Sequence, residues 1–215
     1  LKVLPVLFSE NGYHTTMINP VYANYEWLPD LSVYDAYPQI SSYITNGVYV
    51  DDVQKQAAID TNYRNFFCFS MMKCMPLMVQ RSIYCEGTYN RAPSDSALYS
   101  SQTAYNVSVA EGFYPTFMDE YSSLCNLPAM TNFTENNQGT FTFLSNATTH
   151  DPMILQEPEY VPAAKVDNTA YDAEHKDRFT VDGKTLRIYN VEQMAHYHIN
   201  MAALLRLADW LDYLR

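Results

Sequence analysis

Glycine is scarce in this chain, 6 residues in 215. No Walker loop, Gly-x-Gly-x-x-Gly fingerprint or Gly-x-Ser-x-Gly elbow occurs. A glycine loop cradling phosphate and a serine-hydrolase nucleophile turn are therefore excluded. Positive charge is scarce too: 13 Lys and Arg stand against 24 Asp and Glu, a formal net charge of −11. Phosphate backbones and anionic lipid both attract clustered Lys and Arg, so the balance argues against either as a partner. No run of about 18 apolar residues is present to span a bilayer. Cys68, Cys74, Cys85 and Cys125 follow no CxxC spacing for zinc or redox work. They read as free thiols, the first three as small buried hydrophobes in an apolar stretch. The His-Glu-x-x-His zinc pattern is missing.

What is present is a chain long enough for one domain, or one domain with an appendage. Hydrophobic residues make up 47%, enough for a core, while 11 Pro and 14% aromatics exclude a coiled coil or a disordered tail. Tyrosine is abundant, 19 against 10 Phe and 2 Trp. Its apolar body and polar end suit the rim of a core. A surface rich in Tyr and poor in Lys also suits an exported or sugar-handling protein. Asn-x-Ser/Thr sequons at Asn106, Asn132 and Asn146 matter only in a eukaryotic secretory chain. The chain opens on Leu1 within a helical pattern and closes at Arg215 without a Gly or Asn stop signal, so it is expected to be cut from something longer.

Residues 1–10 read as the tail of a buried helix ended by Asn11-Gly12, and residues 13–19 as a strand stopped by Pro20. Residues 21–50 are irregular and aromatic, with Trp27 and seven other landmarks in Tyr22, Tyr25, Tyr34, Tyr37, Tyr43, Pro29 and Pro38. They read as a long loop or short turns. Asp51-Asp52 can cap a long helix from Val53, with a short helix over 75–84 after it. Residues 87–108 read as loop, 114–126 as helix, 139–146 as the cleanest strand and 157–184 as loop. Residues 191–215 form the strongest helix, with Met194, Met201, Leu204, Leu205, Ala208, Leu211 and Leu214 on its expected apolar stripe. Strands that alternate with helices predict an α/β fold whose mostly parallel sheet is flanked by helices. Ligands in such folds sit at the carboxyl ends of strands, where the loops after Asn19 and Asn146 begin.

His150 is the best single candidate for chemistry. It lies in a polar turn with Thr148, Thr149 and Asp151, where an imidazole can donate to an anionic oxygen. His196 and His198 point about 200° apart on a helix and cannot share one metal, so structural roles are expected for both. His14 and His175 have no company. Asp51-Asp52 reads as a helix cap and Asp209/Asp212 as a solvated face. Cys125 ends a helix, where the dipole raises rather than lowers a thiol's pKa, which argues against a cysteine nucleophile. Taken alone, the chain displays no catalytic apparatus.

The segments "NGYHTTMINP" (11–20), "TFTFLSNATTHDP" (140–152) and "MAHYHINMAALLRLADWLDYL" (194–214), with Trp27 between the first two, resemble in order the central part of sulfatase-like enzymes. The group most similar is that of lipoteichoic acid synthases and related phosphoglycerol or phosphoethanolamine transferases of the alkaline phosphatase superfamily. The resemblance implies that residues 1–215 are the central portion of a sulfatase-like catalytic domain within an alkaline-phosphatase-like layered fold. Its parts would be a helix and strand (1–20), a loop and helical insertion (21–135), then a strand, substrate loop and long helix (136–215). It implies a phosphate or sulfate ester substrate, such as lipid- or glycan-linked phosphoglycerol. A Thr or Ser nucleophile and a divalent ion (Mn, Mg or Ca) would be supplied by residues outside these 215. It carries His150 over as a contact to the phosphate or sulfate and Trp27 as an aromatic flanking the head group. Two residues after that Trp the synthases have Arg and this chain has Pro29. The implied parent is membrane-anchored with its catalytic domain outside the cytoplasm, in the cell envelope. The isolated portion is expected to be inactive and, with uncovered sheet edges, to self-associate. The alternative is a non-catalytic extracytoplasmic module that binds carbohydrate or another partner through its aromatic loop.

Overall fold

The computed structural model describes residues 2–21, 23, 29–84, 108–111, 114–133, 137–188 and 190–215. Trp27, Cys85, Asn106 and nearly all of the 87–108 loop lie outside them. In chain order the helices are α1 (Val3–Glu10), α2 (Asp52–Cys74), α3 (Leu77–Tyr84), α4 (Pro115–Cys125), α5 (Thr169–Glu174) and α6 (Val191–Tyr213). The strands are β1 (His14–Ile18), β2 (Ile40–Tyr43), β3 (Val109–Glu111), β4 (Thr140–Leu144), β5 (Lys165–Asp167), β6 (Thr180–Val181) and β7 (Lys184–Thr185). The chain is mixed α/β and divides into two compact units, residues 1–49 with 122–147 and residues 50–121 with 148–215. No helix among the described residues is long and apolar enough to cross a membrane.

The first unit is built on a parallel sheet in the order β2-β1-β4. Helix α1 ends because Gly12 takes φ 84°, which a Cβ would disfavour. The Tyr13 N–H then reaches the Phe8 carbonyl (3.0 Å) and the Gly12 N–H the Ser9 carbonyl (3.1 Å), the two bonds of a Schellman stop. The Tyr13 ring packs edge-on against Phe8, which stacks on Phe141 of β4 at 4.2 Å. The turn thus fixes both where β1 starts and which strand lies beside it. Thr15 pairs with Ile40 on one side and Phe141 on the other. Met17, Tyr34 and Ile40 form the core of this unit, with Val6 of α1 packed against it. Residues 21–50 were expected to be loop, yet Ile40–Tyr43 pairs as β2. Four residues with two serines carry too little alternation to announce a strand. Helix α1 is less buried than expected, for Val3, Leu4 and Leu7 are exposed.

The second unit is organised around α6. Asn190 caps it by accepting from the Gln193 N–H at 2.9 Å. Its buried face is Val191, Met194, Ala195, His198, Ile199, Ala202 and Ala203. This corrects the stripe read from its large residues: Leu204 and Leu211 are exposed. Small side chains at 195 and 202 let residues 153–155 pack closely against the helix. Met153 and Leu155 join Phe117, Tyr121, Ile199 and Ala202 in one cluster. Ile154 turns the other way into a cluster with Val166, Val191, Met194 and Ala195. The expected loop over 157–184 holds β5, α5, a 3-10 turn at Lys176–Phe179 and the β6–β7 hairpin. Helices α2 and α3 follow the expected spans; Cys74 is exposed rather than buried, and Cys68, Cys74 and Cys125 form no disulfide.

Met17 is buried in the centre of the first sheet. Met17→Ala is expected to lower stability by about 2–5 kcal/mol, the usual cost of a core cavity. Urea unfolding measures it, and a loss under about 1 kcal/mol would place Met17 outside the core.

Candidate functional site

β1 and β4 are parallel neighbours, with Ile18 opposite Leu144. The loops that leave them at Asn19 and Ser145 therefore begin on one rim of the sheet, and the Ser145 N–H still bonds the Ile18 carbonyl at 3.0 Å. Asn19 stands at that rim with φ 49°, a conformation Asn tolerates better than most residues. Its Oδ1 accepts from the Thr45 N–H (2.7 Å) and its Nδ2 donates to Thr45 Oγ1 (2.7 Å). Thr45 Oγ1 lies 2.8 Å from Ser123 Oγ. All three residues are buried. They clasp the rim with each other's polar atoms, a structural role that no motif announced.

His150 lies in the turn six residues beyond the end of β4 and belongs to the second unit. Its side chain is 84% exposed. Nδ1 lies 3.4 Å from Asp151 Oδ1, and that carboxylate is largely covered. A carboxylate beside Nδ1 favours a proton there, which leaves Nε2 facing outward. In the imidazolium form Nε2–H is a charge-assisted donor for an anionic oxygen. Because the imidazole side of this contact is exposed, the pair contributes little to stability, and it orients the ring rather than holding the fold. Trp27, the other expected substrate contact, lies outside the described residues.

The second unit also contains a buried ionic network that sequence reading missed. Glu157 has a fully covered side chain, and its Oε2 accepts from Arg178 at 3.2 Å. The same guanidinium nitrogen pairs with Asp172 of α5. Arg178 also donates to the His175 carbonyl at 3.2 Å and lies 4.4 Å over the Phe179 ring. On the far side, His198 of α6 is 1% exposed, with Nε2 3.7 Å from Glu157 Oε1. Neither atom makes a conventional hydrogen bond. His198 Nδ1 accepts the Leu155 N–H at 2.9 Å. That bond makes Nδ1 the bare nitrogen and puts the ring proton on Nε2, facing the carboxylate. Burial holds the His198 pKa down at about 4, helped by Arg178 and opposed by Asp172, so the ring is neutral at pH 7. Burial likewise raises Glu157, with a hydrogen bond from Tyr160 and the charge of Arg178 pulling the other way. Asn168 closes the network: its Oδ1 accepts from the Glu157 N–H (2.9 Å) and its Nδ2 donates to the Leu155 carbonyl (2.8 Å).

The other histidines stand apart. His14 is exposed, and His196 and His175 are half-buried. His175 stacks on Tyr171 at 4.0 Å. Asp209 and Asp212 pair with Arg206 and Arg215 on the solvated side of α6. No group of three or more His, Cys, Asp or Glu residues among the described residues could hold a metal ion. The divalent ion that the resemblance implies is expected to be held by residues outside these 215, and His150 has the Asp151 carboxylate beside it. The sequence signal that could have exposed the Glu157 network was the length of 157–184, since 28 residues without structure are uncommon in a compact domain.

Arg178→Met strips the buried carboxylates of their partner, a loss worth about 3–5 kcal/mol. A Glu157 with a raised folded pKa stabilises most when protonated, and that contribution is lost as pH rises through the raised value. The Arg178→Met penalty is therefore expected to be larger at neutral than at mildly acid pH. Urea unfolding at both pH values checks this, and equal penalties would show that Glu157 does not carry it. Compared with protein-family models, curated proteins and solved structures, the chain matches none.

Proposed function

We propose that these residues are the central portion of an alkaline-phosphatase-like, sulfatase-type domain that transfers or hydrolyses phosphate or sulfate esters, and that His150 grips the ester's anionic oxygens. The observation that carries this reading is the parallel adjacency of β1 and β4. It sets the helix–Asn11-Gly12-Tyr13–strand unit beside the strand that leads to His150-Asp151-Pro152. The exposed ring, with Asp151 on its inner nitrogen, supplies the chemistry. The nucleophile and the divalent ion are assigned to chain beyond these residues, in a membrane-anchored protein facing the cell envelope. The ion's chemistry there would be to neutralise charge on the ester and to activate the nucleophile. The sheet order leaves β2 and β4 each with one partner strand among the described residues, which supports self-association of the isolated portion.

Nuclear magnetic resonance of the His150 ring during titration with phenyl phosphate and phenyl sulfate tests the reading. A saturable shift is expected with both esters and is lost in His150→Ala. Nitrophenyl esters with Mn²⁺, Mg²⁺ or Ca²⁺ should give no turnover by this chain. An unresponsive His150, or hydrolysis that depends on it, overturns the proposal; a response only to neutral oligosaccharides would favour a carbohydrate-binding module. Light scattering should give a mass above that of one chain, and a clean monomer counts against self-association.

A further inference from the structure

We infer that His198 is a positioning residue for His150, acting through the main chain of residues 151–155; the inference rests on the anion-binding reading of His150. His150 itself is held by little, since its ring is exposed and touches Asp151 alone among polar groups. Its placement comes from the main chain on either side: Thr148 before it is fully buried, and the run after it is buried and bonded. Met153, Ile154 and Leu155 are buried, with alternate side chains locked into two separate clusters. Two bonds then fix the main chain at the end of this run. His198 Nδ1 takes the Leu155 N–H and Asn168 Nδ2 gives to the Leu155 carbonyl. One peptide later Asn168 Oδ1 takes the Glu157 N–H.

The His198 bond is the one that depends on ring state. Nδ1 can accept only while it carries no proton. Two features keep it so: the ring's burial and the Glu157 carboxylate, which faces Nε2 and favours the proton on that side. Arg178, paired with both Glu157 and Asp172, holds that carboxylate in place. The charged and titratable groups facing the ring and its partner are thus Glu157, Asp172 and Arg178, with the Tyr160 and Tyr197 rings packed edge-on at 5.3 and 5.9 Å. The chain of dependence runs from the ion pair to the tautomer, from the tautomer to the Leu155 amide, and from there along a buried run to the exposed turn.

The test uses the whole chain and three variants. Asn at 198 offers an acceptor near the Nδ1 position, Gln offers one nearer Nε2, and Leu offers none. His198→Asn is expected to bind phenyl phosphate at His150 within about 2-fold of the parent, since the geometry is kept, while His198→Gln and His198→Leu weaken it by about 10-fold or more, the scale of a misplaced binding group. Circular dichroism confirms which variants fold. Equal affinity in all folded variants overturns the inference and leaves His150's role standing. An unresponsive His150 in the parent chain overturns both. Independently of any variant, ¹⁵N shifts of His198 should show an unprotonated Nδ1 at neutral pH, and a proton on Nδ1 would refute the inference outright.

Discussion

The second unit depends on a carboxylate that water cannot reach. Glu157 is enclosed, and a lone ion there would cost several kcal/mol. Arg178 answers that charge on one side and the His198 Nε2–H faces it on the other. The consequences spread outward from this requirement. Arg178 must come from the 3-10 turn after α5, so the stretch from β5 to that turn is folded back over the 155–161 loop. His198 must sit on the inner face of α6, so the helix is turned to bury small residues beside it rather than its longer leucines. In other proteins, replacing such a network with apolar residues of like volume is often neutral or stabilising; here the charges join loop, helix and turn at one point.

The first unit solves a different problem with neutral groups. A parallel sheet must end its strands somewhere, and the main chain at that end needs partners. Asn19, Thr45 and Ser123 provide them from three separate parts of the chain. This satisfied clasp occupies buried positions at the strand ends. The His150 ring is of another kind: it is exposed, between a buried Thr148 and the buried run 153–155.

Local signals explain which features could be read in advance. Helix α1, its Gly12 stop, β1, β4, α2 and α6 were legible because each rests on periodicity or a turn residue within a few positions. Strand β2 was not, because its pairing with β1 is imposed by tertiary contact and Ile40-Ser41-Ser42-Tyr43 has no strong pattern of its own. The buried face of α6 does not follow residue size, because the neighbouring 153–155 run packs on small side chains at 195 and 202. His150 could be singled out by type and context. Glu157 could not: a glutamate between Gln156 and Pro158 looks like any solvent-facing loop acid, and its burial arises only when Asn168, Arg178 and His198 meet around it. His196 and His198 were both expected to be structural, and His198 is a buried ring bonded to main chain.

The central strand of the parallel sheet is made early and completed late. β1 pairs with β2 about 25 positions on, but His14 meets Thr140 only 126 positions further along. At a ribosomal pace of about 5–20 residues per second, roughly 6–25 s separate the emergence of the two strands. For that interval the far edge of β1 stands open, with the whole of residues 50–121 being synthesised in between. An unpaired strand edge of this kind is where a newly made chain is most exposed to wrong pairing, so the long wait for β4 is a feature of the sheet's order itself.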